Sequence, residues 1–167
     1  MSDHFDSWFS GFVDGEGYFG LALSSGTRAI PRWYPHLTIA LRDDDSEVLE
    51  RIHARFGGTL APIPARSGTN TNPSLRWRVA SIDECMALVE HFEAWPLFGK
   101  KRRDFALWAL GVRHMHEFRG TKGIPNSSKV DTEYIAALSQ AMRAIRVYGA
   151  HGVQPSPLSP VLMFKGA

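Results

Sequence analysis

The stretch Phe9-Ser10-Gly11-Phe12-Val13-Asp14-Gly15-Glu16-Gly17 constrains the fold more than any other part of this chain. Trp8, Phe9, Phe12 and Val13 carry helical apolar spacing, and Asp3 or Asp6 is placed to cap the start of that helix. Yet the helix also holds Gly11 and Gly15, and a glycine in a helix interior costs about 1 kcal/mol relative to alanine. Standing four apart, the two glycines share one face and leave it nearly flat, which suits a second backbone approaching closely. Asp14 and Glu16 fall in the last turn, where the helix dipole disfavours negative charge. Carboxylates that weaken their own element usually answer to another partner, most simply a bound cation. A glycine stop with two solvated acids accounts for Asp14 to Gly17 alone, but not for the whole string.

Hydrophobic residues make up 44% of the 167, with five Trp and ten Phe, which is enough for one domain with a sizeable core. The net charge of +2 neither requires nor excludes a polyanionic partner, so the placement of the charges has to decide. The single Cys85 excludes an intrachain disulfide framework and suits a reducing compartment. No signal-peptide pattern opens the chain, and no apolar run approaches the ~20 residues of a membrane span. The expectation is a soluble protein of the cytoplasm (nucleoid-associated) or of an organellar matrix, with no secretion and no membrane partner.

Beyond the glycine-rich turn, Tyr18 to Ser24 alternates as a strand, with Phe19, Leu21 and Leu23 inward. A second strand is expected from Arg32 to Arg42, with Leu37, Ile39 and Leu41 inward and His36, Thr38, Ala40 and Arg42 outward. Asp44-Asp45-Ser46-Glu47 reads as a capping box for a helix that Gly57-Gly58 stops. Thr59 to Arg66 is a weak, proline-interrupted strand fit only for an edge, and Leu75 to Ala80 is a strong one with Arg76 and Arg78 outward. Ser81-Ile82-Asp83-Glu84 is a second capping box, opening a helix to about Ala94 that Pro96 breaks. Further helices follow from near Lys100 to His116 and from Thr132 to Tyr148.

Two hairpins with helices on one side imply an α+β domain around one antiparallel sheet, apolar within and basic without. We expect a single domain over residues 1–148, with its core at about 5–116, a loop and helix at 117–148, and a Pro/Gly-rich tail at 149–167. His114, His116 and Glu117 read as a polar helix end, because no second cluster completes a zinc site.

Together, the glycine-acid string and the strand-strand-helix order after it resemble the LAGLIDADG homing endonuclease family over about residues 5 to 116. Phe9 to Gly17 reads as a variant of the namesake motif, with Phe9 and Ser10 replacing the usual Leu-Ala and Glu16 replacing the commoner Asp. The resemblance implies a saddle-shaped αββαββα domain with extra C-terminal helices and an antiparallel sheet that binds double-stranded DNA. It also implies a metal-dependent double-strand cut at a long site. One copy of the motif is present, and members with one motif work as homodimers. A two-fold pair joined through Trp8, Gly11, Phe12 and Gly15 would bring both Glu16 carboxylates to its axis and predicts a near-palindromic target.

By the same resemblance, Glu16 is the metal ligand and the Gly15 carbonyl can add to it. Asp14 matches the motif's first acid, as a catalytic group or as an orienting one. Mg²⁺ is the expected ion, with Mn²⁺ able to substitute and Ca²⁺ supporting binding without cleavage; no small-molecule cofactor is expected. Relatives carry a lysine at the place of the Lys100-Lys101-Arg102-Arg103 run; Lys100 is the better positional match and Lys101 the alternative. Taken alone, such a run is a solvated basic patch. Some members order active-site water with a polar group after the second strand. Leu41 cannot hydrogen-bond there, so either Arg42 or Asp43 substitutes or the water network differs. Arg28, Arg32, Tyr34, His36, Thr38, Arg42, Arg76 and Arg78 would face the DNA, with Lys122 and Lys129 touching phosphates from the late loop. The runner-up is a non-cleaving DNA-binding or RNA-splicing (maturase-like) protein on the same fold.

Overall fold

The computed structural model describes residues 2–24, 31–65, 72–118 and 129–146, the side chains of residues 2 and 3 excepted. Helix α1 (Ser2–Glu16) leads into the hairpin β1 (Tyr18–Leu23) and β2 (Trp33–Arg42). Helix α2 (Ser46–Phe56) connects to the second hairpin, β3 (Thr59–Ile63) and β4 (Ser74–Val79). Helices α3 (Ile82–Ala94), α4 (Lys101–Glu117) and α5 (Thr132–Arg146) complete the described chain. The four strands form one antiparallel sheet in the order β1-β2-β4-β3, so the proline-bearing β3 does lie at an edge. This is the αββαββα arrangement followed by two further helices, α4 and α5.

The strand alternation sorts the sheet's faces. Phe19, Leu37, Ile39, Trp77 and Val79 are fully buried and meet Phe9 and Val13 of α1, Leu49 and Ile52 of α2, and Phe92 of α3. Trp108, Val112 and Met115 extend the core under α4, and Ile135, Leu138 and Met142 bring in α5. Each such apolar side chain contributes about 1.5–3 kcal/mol on burial. Leu23, expected inward, is 48% exposed at the end of β1.

Capping differs between the two helices that were expected to carry a box. Ser81 Oγ accepts from Glu84 N–H at 3.3 Å, which is the serine half of the α3 box, while the Glu84 carboxylate accepts from the Ser81 hydroxyl at 2.6 Å and from Gly58 N–H at 3.0 Å. At α2 it does not. Asp43–Asp45 winds into a 3-10 turn, its first N–H donating to Pro73 O at 3.1 Å, and Asp45 makes no side-chain cap bond. A long-range backbone bond there displaces the local cap. The α2 exit is as expected: Gly57 and Gly58 have φ of 71° and 83°, where only glycine is comfortable. A Cβ at Gly58 would also meet Arg78 O at 2.7 Å.

Candidate nucleic-acid interface and cleavage site

Helix α1 begins at Ser2, so Asp6 lies inside it rather than at its cap. Asp6 is buried, 3.5 Å from Arg55 and 3.9 Å from His91. Ser10 Oγ stands 3.3 Å from His91 Nε2 and donates to Trp95 O at 2.7 Å. The types are those of a hydrolytic triad, but Ser10's proton is already engaged and the rings of Phe9, Phe56 and Phe92 pack around His91. The group is a buried tie between α1, α2 and α3. Burial is the main influence holding the His91 imidazole below its ordinary pKa, against the opposing pull of Asp6.

The other end of α1 is open. Gly17 N–H donates to Val13 O at 2.9 Å and closes the helix, leaving Glu16 exposed at its tip. Gly11 and Gly15 are both exposed, and a Cβ built on either meets nothing within 4 Å. Beside them Trp8 is 42% exposed and stacks on Phe12 at 5.0 Å between ring centroids. The face expected to meet a second backbone is therefore flat, apolar and uncovered among the described residues.

Asp14 points sideways. Its Oδ2 accepts from Phe98 N–H at 2.7 Å and from Gly99 N–H at 2.6 Å, fixing the loop that leads into α4. A carboxylate accepting two backbone amides is an anchor. A Cβ on Gly99 would press to 2.9 Å from Asp14 Oδ1, so the glycine lets the loop come this close. The anchored loop places Lys101 half-buried in the first turn of α4, where its Nζ donates to Gly17 O, next in chain to Glu16. Lys100, the better positional match from sequence, is exposed at the N-cap instead.

The outward sheet face forms cross-strand rows. Tyr18, Thr38, Arg78 and Thr59 lie in one register line, and Ala40, Arg76 and Ala61 in the next. Arg78 holds its guanidinium over Tyr34 at 5.3 Å. His36 lies across Gly20, where a Cβ would strike its ring at 2.3 Å, and its ring is 5.8 Å from both Tyr18 and Tyr34. Burial, reinforced by Arg78 and Arg146, lowers the His36 pKa to about 4, so the ring is neutral near pH 7 and offers one donor and one acceptor.

Arg42 is exposed and paired with Asp44 at 2.9 Å. Arg32 precedes β2 and closes the hairpin stem through its backbone, with N–H to Ser24 Oγ at 2.9 Å and O from Ser24 N–H at 2.8 Å. Lys129 is exposed in the connection between α4 and α5. Arg28 and Lys122 lie outside the described residues. His114 accepts from Asp131 N–H at 3.0 Å and His116 is 3.5 Å from Asp83, which makes that pair a helix-end device.

Hard oxygen donors at the tip of α1 suit a divalent ion of the Mg²⁺ type, which takes one or two carboxylates and completes its shell with water and phosphate. Glu16 is the exposed acid here, while Asp14 gives its Oδ2 to two amides and keeps a buried Oδ1 with no hydrogen-bond partner among the described residues, where no three His, Cys, Asp or Glu gather as a metal cage. The donor set fits an ion shared with substrate and a second acid.

A basic, outward-facing antiparallel sheet beneath a helix that ends in an exposed acid defines a nucleic-acid-processing class of fold. The chain belongs to the LAGLIDADG endonuclease family, whose pattern it matches over residues 9–110. Among curated proteins it is 36% identical over 112 residues to an uncharacterized 50.9 kDa protein in ND4 intron 1 of Podospora anserina, covering 64% of this chain and 24% of that one. Its fold is shared with the I-SmaMI homing endonuclease bound to cleaved DNA: TM-score 0.65, 20% identity, 85% of this chain and 45% of that one. It is also similar to I-AabMI bound to uncleaved DNA, with TM-score 0.61 and 25% identity over 83% and 43% of the two chains. This chain thus spans about a quarter of its curated relative and under half of these solved structures. No helix among the described residues is long and apolar enough to cross a membrane.

Proposed function

We propose that this chain is a site-specific DNA endonuclease of the LAGLIDADG type, making a divalent-metal-dependent double-strand break as a pair of like units joined through α1. The observation that carries the reading is the convergence at the tip of α1: an exposed Glu16, a Lys101 ammonium on the adjoining Gly17 carbonyl, and Asp14 anchoring the loop that delivers the lysine. The relatives of known structure are bound to DNA, and the outward rows of Arg76, Arg78, Tyr34 and His36 supply complementary charge and hydrogen-bonding groups.

When bound, Mg²⁺ supplies Lewis acidity to the scissile phosphate and acidifies its water. Glu16, with the Gly15 carbonyl, is the ligand this chain provides. Lys101 sits where it can neutralise charge developing on the phosphate, and its contact with Gly17 keeps it there before substrate arrives. Asp14 acts through that loop and is a positioning residue. Pairing through Trp8, Gly11, Phe12 and Gly15 brings a second Glu16 to the axis and gives a near-palindromic site. The intron setting of the curated relative supports a mobile-intron role and an organellar or cytoplasmic host compartment.

Binding without cleavage, as in a maturase-like protein, is favoured by one observation. Leu41 packs against the core and Arg42 is paired with Asp44, which leaves the exposed Asp43 as the polar group able to substitute there. Incubating the protein with candidate duplexes in Mg²⁺, and separately in Ca²⁺, distinguishes the two. Cutting in Mg²⁺ that Glu16→Gln abolishes while binding persists supports the nuclease. Tight binding with no nicking in any metal refutes it.

A further inference from the structure

Helix α5 forms a rim along the free edge of β1. Ser139 Oγ donates to Leu21 O at 3.0 Å, and Arg146 donates to Phe19 O at 2.6 Å and to Asp104 at 2.8 Å. Arg146 also lies over the Tyr18 ring at 4.6 Å. Between this rim and the outward side of β1 and β2 is a cavity of about 410 Å³. Tyr18, Gly20 and His36 of the outward sheet face line it together with Trp33, Arg143 and Arg146.

The charges there are unequal. Arg146 is matched by Asp104 and serves as a post. Arg143 is exposed and forms no hydrogen bond or ion pair with another described residue. One guanidinium without a partner among the described residues therefore lines a hollow shared with the outward sheet face. Guanidinium planes match phosphate oxygens two at a time.

We propose that this cavity is a backbone-phosphate site for duplex DNA lying on the sheet, with Arg143 as its anchor. It rests on the DNA reading of the outward face: Tyr18, Gly20 and His36 belong to that face and to the cavity alike, so a duplex there passes the cavity mouth. Phosphate carries no sequence information, so the contact fixes the duplex's lateral position rather than its sequence.

The test uses the full chain in Ca²⁺ and a mixed-sequence duplex longer than the sheet, with affinity read by fluorescence anisotropy between roughly 50 and 200 mM salt. Arg143→Gln should reduce the slope of log K against log salt by about 0.9, one phosphate's worth, and Arg143→Lys should restore it. Arg113→Gln is the charge control, since Arg113 pairs with Glu93 on the helical side of the molecule, and it should leave the slope unchanged. A wild-type slope in Arg143→Gln, or an equal drop in Arg113→Gln, overturns the cavity assignment alone. A wild-type chain that binds no duplex at all overturns the reading of the sheet face and this site with it.

Discussion

Replacing both Gly11 and Gly15 with alanine should push folding and association in opposite directions. Within one chain the added methyl groups meet nothing within 4 Å, so the helix gains its ordinary preference for alanine, about 1 kcal/mol at each site. For a domain of this size each kcal/mol moves the Tm by about 2–4 °C, so the double variant should melt about 4–8 °C higher at dilutions where chains are separate. Where two such faces meet, the same methyl groups fall at the closest approach. Overpacking of that kind costs about 1–3 kcal/mol, or roughly 5- to 150-fold in the dissociation constant. Sedimentation velocity across a dilution series reads the second quantity, and thermal unfolding of the most dilute samples reads the first. An unchanged dissociation constant would refute the flat-face argument, because no partner would then be touching those glycines. A lower Tm in the dilute state would refute the helix argument itself.

Asp14→Asn weakens a charge-assisted acceptor of two amides, so urea unfolding should show a loss of about 1–2 kcal/mol. Cleavage should slow by on the order of 10²-fold as Lys101 loses its position, with duplex affinity held; an unchanged rate would remove Asp14 from the mechanism. His36 has a folded pKa near 4 against an ordinary value of 6.5, so the unfolded chain binds more protons between those limits. Its neutral burial is fully favourable above pH 6.5, and the advantage should be lost as pH falls from 6.5 to 4. The stability gap between wild type and His36→Gln should narrow over that window; a gap independent of pH contradicts the assignment. Ser139→Ala strands the Leu21 carbonyl and should cost about 1–2 kcal/mol, whereas Ser7→Ala, on an exposed helix surface, should stay within about 0.5 kcal/mol. Equal effects of the two would deny the edge contact its role.

What the sequence displayed well were features whose causes are local. The alternation of Leu37 and Ile39, the double glycine after α2 and the Ser81 cap on Glu84 N–H need only near neighbours, and they formed as expected. The failures share one origin. Asp6 looked like a cap until Arg55 and His91 arrived from other helices, and the Asp44 box gave way to a bond from Asp43 N–H to Pro73. Sequence already set Glu16 ahead of Asp14 as the ligand, but what Asp14 holds was not legible, because the amides it accepts from lie 84 and 85 residues further along. Position ranked Lys100 above Lys101, but helix phase at the start of α4 decides which one turns toward Gly17, and that one is Lys101. The part played by Ser139 and Arg146 depends on β1 being an edge strand, which only the strand order reveals.

That strand order also bears on how copies of this molecule meet. A sheet normally carries two open sides along which another chain's backbone can zip, and uncontrolled zipping ends in aggregates. Here α5 seals one side by occupying the carbonyls of Phe19 and Leu21, and the five-residue β3, with Pro62 in it, offers little template on the other. Edge-to-edge growth, which has no natural stopping point, is closed off. The bare glycine face of α1 remains, and contact through a single self-complementary face ends at two.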